Sequence, residues 1–389
     1  MTQALVLGGG FAGVESAIFL SQQRIKTTLV SDRDYVWVYP TSIWVTVGAD
    51  PSTCKVSLAE LAEVHGFDLI VDPVVSIEPE AGRVELESQT LSYEYLVLAT
   101  GASKLKPPGV EHTLSICGSP TQTSEIYQRL GELVAAGGGR IGFGFGGNPK
   151  DKSAVRGGPV FEVMFNVHHW LKTRGMRDKF ELTFFAPMPE PGKRMGEKAL
   201  EVMDRLFART GIGRKVGTKI SGFSDEGVEF VDGTVLETDL TIFVAAGTGH
   251  PVIVDSGLPL NEAGFVVIDE QCRVEGQERI WAVGDVAALE GPEFRAKQGH
   301  VAEVMARIAA MDIGKIQQTN GESRHDESYI PHVNILCLMD TGNGGAMVKR
   351  TTDEASVTSL PVVGHWMKKG WGKYWRLSKL KKIPRLPGM

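Results

Sequence analysis

Residues 4–13 read Ala4-Leu5-Val6-Leu7-Gly8-Gly9-Gly10-Phe11-Ala12-Gly13, a short apolar run that passes straight into Gly-x-Gly-x-x-Gly. The spacing predicts a strand, a tight turn and a helix. Gly8 permits the turn, and Gly10 lets the backbone approach a pyrophosphate. Gly13 lets the helix pack on the strand with its N-terminus toward the phosphates. A second apolar run at 27–30 leads to Ser31 and Asp32, nineteen residues after Gly13. A ribose-binding acid belongs at about that distance. Far downstream, residues 280–285 read Ile-Trp-Ala-Val-Gly284-Asp285. A second contact point of this kind suits a long dinucleotide and favours FAD over NAD.

The 389 residues are enough for two domains and an added C-terminal layer. Apolar content of 42% and charged content of 23% are ordinary globular values. Four cysteines do not make a disulfide framework at this length and fit a reducing compartment. The first strand begins at residue 4, so no signal peptide is expected. No apolar run approaches the roughly 20 residues needed to span a bilayer. The net charge of −6 is unevenly spread. Of the 41 Lys and Arg, eight fall in residues 365–389, which hold no acid, leaving 33 against all 47 acids in the body. An acidic body excludes nucleic acid as a partner, while a basic tail points to a local anionic surface. The histidines, His168, His169, His300 and His332 among them, lack metal-site spacing, so no metal is expected.

An imperfect repeat organises the chain. Strands at 74–79 and 83–87 flank Glu80-Ala81-Gly82, and an apolar strand at 95–98 ends in Ala99-Thr100-Gly101. The second half repeats the order, with strands at 219–223 and 228–231 around Asp225-Glu226-Gly227, then 240–244 ending in Ala245-Ala246-Gly247. Each meander follows a βαβ-like stretch, at 4–30 and 139–186. The expected fold class is therefore α/β, with two tandem Rossmann-like dinucleotide-binding domains, the second inserted in the first. The FAD domain takes 1–112 and 260–315, the second domain 113–259, and a C-terminal membrane-associating region 316–389. The second glycine turn is degenerate. After the strand at 140–145 comes Gly146-Gly147-Asn148-Pro149-Lys150-Asp151-Lys152, and the next helix begins only near Pro159. A phosphate-binding turn must deliver its helix within a few residues, so this domain is not expected to bind NAD(P) in the usual way.

Five further segments occur in order: Tyr35-Val-Trp-Val-Tyr-Pro40-Thr-Ser-Ile-Trp44, Leu114-Ser-Ile-Cys117, Ala154-Val-Arg156-Gly-Gly-Pro159-Val-Phe-Glu162, Ala296-Lys297-Gln298-Gly299 and Ile335-Leu-Cys337-Leu-Met-Asp-Thr-Gly342. With the glycine motif they resemble the sulfide:quinone oxidoreductases, FAD-dependent flavoproteins of the pyridine nucleotide–disulfide reductase superfamily. The likeness covers essentially the whole chain. It implies FAD contacts at Gly8, Gly10, Phe11, Ala12, Gly13, Ser31, Asp32, Pro40, Val74, Thr100, Gly101, Gly284, Asp285 and Lys297. It also implies sulfide and a membrane quinone as substrates. Members of that family carry sulfur on two cysteines, one from the second of the cysteine motifs and one from the third. Here Arg156 stands before the Gly-Pro-x-x-Glu block where the cysteine belongs, so that pair cannot form.

The remaining catalytic candidates are Cys337, Cys117 and Cys54, each to be weighed against an ordinary buried cysteine. Arg156 would attract hydrosulfide by charge, or stand as a solvated loop arginine. Glu162 would relay a proton, or lie on a helix surface. Lys297 would stabilise anionic reduced flavin, or cap a helix start at the surface. In the tail, Trp371 and Trp375 are four apart and would share a helical face with lysines elsewhere, the composition of an interfacial anchor. Gly370 and Gly372 weaken that helix. The alternatives are a type II NADH:quinone oxidoreductase and the flavoprotein electron-transfer subunit of a sulfide dehydrogenase. A monotopic membrane protein folded on the cytoplasmic side is expected, with a homo-oligomer left open.

Overall fold

A computed structural model describes residues 3–386. Its first sheet has five parallel strands in the order Ile280–Ala282, Tyr95–Leu98, Ala4–Leu7, Thr27–Ser31 and Asp68–Val71. Ala4 faces both Thr27 and Tyr95, so the glycine-turn strand lies at the centre. Its four residues are all buried, as expected of a parallel strand covered by helices on both faces. The helix Phe11–Gln22 packs on the long helix Gly299–Gln318, which returns from the far end of the chain with Ile280–Ala282.

The second sheet repeats this plan. Gly139–Phe145 is central, with Leu240–Val244 on one side and Phe180–Ala186 then Gly213–Val216 on the other. Each sheet has its own three-stranded antiparallel meander, at 74–92 and 220–237. The repeat read from the sequence is therefore structural. Two short strands, Ser103–Lys104 and Gly247–Thr248, pair antiparallel where the chain leaves the first sheet and later the second.

The C-terminal region forms an antiparallel sheet, Ile335–Asp340, Gly344–Arg350 and Ala355–Pro361, capped by the helix Val363–Lys379. This helix packs much of the tail on the body. Trp371 and Trp375 do share a face, but it turns inward. Trp375 is buried, its ring centroid lies 4.7 Å from Phe11, and its Nε1 donates to Glu303 at 2.8 Å. The basic residues are largely committed to the body: Lys368 pairs with Glu162, Lys379 with Glu15 and Glu303, Lys382 with Glu60, and Arg385 with Glu15. The acidic body is thus partly neutralised by its own tail. Gly372 allows close approach, since a Cβ there would press on the Thr41 side chain. What the helix leaves exposed is its first turn, where Val362, Val363, Trp366 and Met367 stand in solvent. Residues 387–389 of the tail lie outside the described residues.

Candidate active site

The glycine turn has the shape a pyrophosphate needs. Gly8 has a φ of +115°, and a Cβ there would strike the Ala99 carbonyl. A Cβ at Gly13 would overlap the Gly8 carbonyl oxygen. Gly10 has open space where a Cβ would point, and it caps the helix without any side chain bonded to the free amides. That combination of a tight turn, an uncapped helix N-terminus and free volume fits a diphosphate. Ser31 is buried against Gly9, and Asp32 stands largely exposed beside Arg33 at 3.7 Å. Thr100 keeps a buried hydroxyl without a partner, and Gly101 turns at a φ of +75°. Gly284, also at +75°, brings Asp285 to the end of its strand. Pro40 opens the short helix Tyr39–Ser42, and Val74 is half-buried at the start of the first meander. These residues suit FAD, which supplies two-electron chemistry when bound. Gly13→Ala is expected to give colourless protein, because the added methyl meets backbone rather than a movable side chain. Flavin absorbance after purification checks this, and a yellow, FAD-replete variant would refute it.

Lys297 is buried rather than at the surface. Its ammonium donates to the Ala287 carbonyl and lies 3.8 Å from the centroid of Phe265. Burial pulls its pKa down to about 7, with Arg156 adding to the fall against Asp151. A developing anion nearby would restore the charge. Arg156 is not a solvated loop arginine, since it pairs with Asp285, the acid of the second flavin motif. Lys104 is lowered to about 8, first by burial and then by Arg156. Cys117 is an electrostatic neighbour of both Lys104 and Tyr39, and Tyr39 reaches the Gly118 carbonyl at 3.5 Å. A half-buried thiol therefore lies in a cationic neighbourhood. Cys54 is fully buried with Trp37 and Val45, accepts a contact from Thr41 at 3.3 Å, and has its thiol pushed up by burial. It is a core cysteine.

Cys337 lies in the strand Ile335–Asp340, half-buried, before the turn at 341–343. Burial pushes its thiol up to about 12, and Glu162 adds to the rise while Lys368 opposes it. Glu162 itself is buried on the helix Gly158–Thr173 and does not face solvent. It accepts the Asp340 amide at 2.7 Å and pairs with Lys368 from the C-terminal helix. Desolvation raises its pKa despite that partner. Asp340 is wholly buried and accepts from Asn166 at 2.9 Å, from the Gly342 amide at 2.7 Å and from His365 at 2.7 Å. Lys368, Asp340, Asn166 and His365 were missed by sequence reasoning. Lys368 was counted only as tail charge, and its i, i+3 spacing from His365 on one helix was the available signal.

In the second domain the helix starts at Gly158, more than ten residues after Phe145. The intervening segment is held down. Arg194 donates to the carbonyls of Lys152, Val155 and Arg295, and Asn148 donates to Gly247.

The family model described as pyridine nucleotide-disulphide oxidoreductase matches residues 2–308. The chain is 26% identical over 400 residues to a sulfide-quinone reductase of Aquifex aeolicus, covering 95% of this chain and 89% of that one. It is 23% identical over 305 residues to an NADH dehydrogenase-like protein of Mycobacterium tuberculosis, covering 74% and 73%. The crystal structure of the Aquifex aeolicus sulfide:quinone oxidoreductase superposes with a TM-score of 0.85 at 24% identity, over 98% and 92% of the two chains. With its flavin cradle, its paired dinucleotide folds and a family match over most of its length, this chain belongs to the pyridine nucleotide-disulphide oxidoreductases and is an FAD-dependent oxidoreductase.

Proposed function

We propose that the protein oxidises sulfide and passes the electrons through FAD to a membrane quinone. The observation that carries this reading is a thiol, Cys337, whose charged neighbours are the buried Glu162 and Lys368. Joining hydrosulfide to the Cys337 sulfur gives a persulfide and releases two electrons and one proton. FAD, when bound, would supply the two-electron acceptor, and a second nucleophile takes the sulfur from the Cys337 persulfide and restores the thiol. Arg156 and Lys104 favour arrival of anionic sulfide. Lys368 and Glu162 form a buried pair that can deliver one of the two protons that quinone reduction requires. The likeness to sulfide-quinone reductase supports the same reading.

Cys337→Ser should abolish bleaching of the flavin by sulfide and leave FAD bound, whereas Cys272→Ser, at a cysteine wholly buried in the core around the first sheet, should leave the sulfide response in place. NADH should bleach the wild-type flavin slowly or not at all, because Arg194 pins the loop that a second nucleotide would need. NADH:quinone reduction is the second reading, and the NADH dehydrogenase-like relative favours it. Anaerobic stopped-flow spectra with each reductant decide between them. Rapid NADH bleaching with no sulfide response would overturn the first.

Contact with the bilayer is assigned to the exposed turn Val362, Val363, Trp366 and Met367, with Lys369 beside it. No helix among the described residues is long and apolar enough to cross a membrane. Trp366 is 65% exposed, and Lys369 lies over the rings of both Trp366 and Trp44. Aromatic and aliphatic groups would enter the headgroup layer while the cation meets anionic lipid. The double variant Trp366→Asp/Met367→Asp should fail to float with anionic liposomes while remaining folded and yellow. Flotation equal to wild type would move the contact elsewhere.

A further inference from the structure

His365 lies in the first turn of the C-terminal helix, beside the exposed apolar residues and one turn before Lys368. Its Nδ1 meets Asp340 Oδ2 at 2.7 Å. The Asp340 carboxylate is wholly buried, and its other oxygen is taken by Asn166 and the Gly342 amide. A buried carboxylate needs a donor, so Nδ1 carries hydrogen and the ring is held in one orientation. Nε2 is left without a hydrogen bond among the described residues, on a side chain 16% exposed. Trp44 stands edge-on to the imidazole at 5.8 Å and Trp366 at 5.7 Å. The Trp44 indole Nε1 is buried and has no partner. An orphaned buried N–H is costly unless a ligand accepts from it. Two nitrogens without hydrogen-bond partners among the described residues thus lie on rings whose centroids are 5.8 Å apart, next to an apolar patch and a turn away from the Lys368–Glu162 pair. With Nδ1–H committed to Asp340, Nε2 accepts in the neutral ring and donates only when the ring carries a second proton, so the matching ligand is a flat apolar molecule whose oxygens serve as carbonyl acceptors and as hydroxyl donors.

We propose that His365, oriented by Asp340, hydrogen-bonds one carbonyl oxygen of the quinone head group and protonates it, with Trp44 as the second donor. The assignment rests on the quinone reading given above. Quinone becomes quinol by taking two electrons and two protons. The electrons are those that sulfide gives to the flavin. One proton leaves His365 Nε2 for the quinone oxygen, the other comes from Lys368 and Glu162, and water at the surface restores both. Asp340 holds the ring in the orientation from which the transfer takes place. Other charged groups around the ring are His169 on the neighbouring helix and Lys368 and Lys369 on its own.

The test uses holoenzyme whose flavin has been photoreduced without oxygen, so sulfide plays no part. Reoxidation by decylubiquinone is followed in wild type and in His365→Gln, which retains a donor toward Asp340 and cannot transfer a proton. The variant should be slower by about tenfold or more, and added imidazole should restore part of the rate. Ferricyanide, which takes electrons without protons, should reoxidise both proteins equally. Trp44→Phe should raise the quinone KM about 2–10-fold, as loss of one hydrogen bond predicts. Quinone reoxidation of His365→Gln within twofold of wild type would overturn the proposal. So would equal slowing with ferricyanide, or a slowed variant that imidazole does not rescue. If reduced wild-type enzyme is not reoxidised by quinone at all, the quinone reading itself falls, and that result is distinct from the others.

Discussion

Lys368→Met is expected to lower stability by about 3–5 kcal/mol and to stop quinone turnover. Glu162 is buried and keeps only the Asp340 amide if the ammonium is removed. A single amide bond does not offset the desolvation of a carboxylate, so the group must take up a proton or the fold must loosen. The companion variant Glu162→Gln/Lys368→Met separates the two consequences. Its amide oxygen still accepts from Asp340, and no charge is left uncompensated. That protein should recover most of the lost stability while remaining inactive with quinone. Urea unfolding of the three proteins measures the difference. A Lys368→Met protein as stable as wild type would mean that the pair does not form in the folded protein.

Trp375→Ala should cost about 3–5 kcal/mol as a large-to-small core change and should also release FAD. Trp375 packs on Phe11, the first residue of the helix that follows the glycine turn, and bonds Glu303 on the long returning helix. Just beyond it, Lys379 and Arg385 converge on the buried Glu15 of the helix that begins at Phe11. Burial alone would raise the pKa of Glu15, and the two cations overcome that and hold it below its ordinary 4.5. A depressed carboxylate contributes stability that is fully present above its ordinary value. That stability is lost as acid drives pH down through the folded value. The tail should therefore detach, and flavin should leave, as pH falls below about 4.5. Flavin fluorescence on acid titration, compared between wild type and Trp375→Ala, reads this directly. If Trp375→Ala keeps its FAD and its melting temperature, the helix is a mere appendage.

The sequence determined the α/β fold class. Local rules were sufficient for it, because a glycine turn between an apolar strand and a helix, hairpin signals and small-residue strand ends are all short-range and recur in both halves. The candidate flavin cradle and the long gap after Phe145 were legible for the same reason. Only the tertiary structure decided which face of the tail packs on the body. Tryptophan four residues from tryptophan with interspersed lysines has the same periodicity whether its apolar face meets lipid or protein. The acids that hold the tail, Glu15, Glu162 and Glu303, lie between 72 and 370 residues from their partners in the tail. The burial of Glu162 and Lys297, the pairing of Arg156 with Asp285, and the orientation of His365 by Asp340 were hidden likewise. Each depends on which charges share a low-dielectric interior, and that is fixed by packing of distant elements rather than by any local pattern.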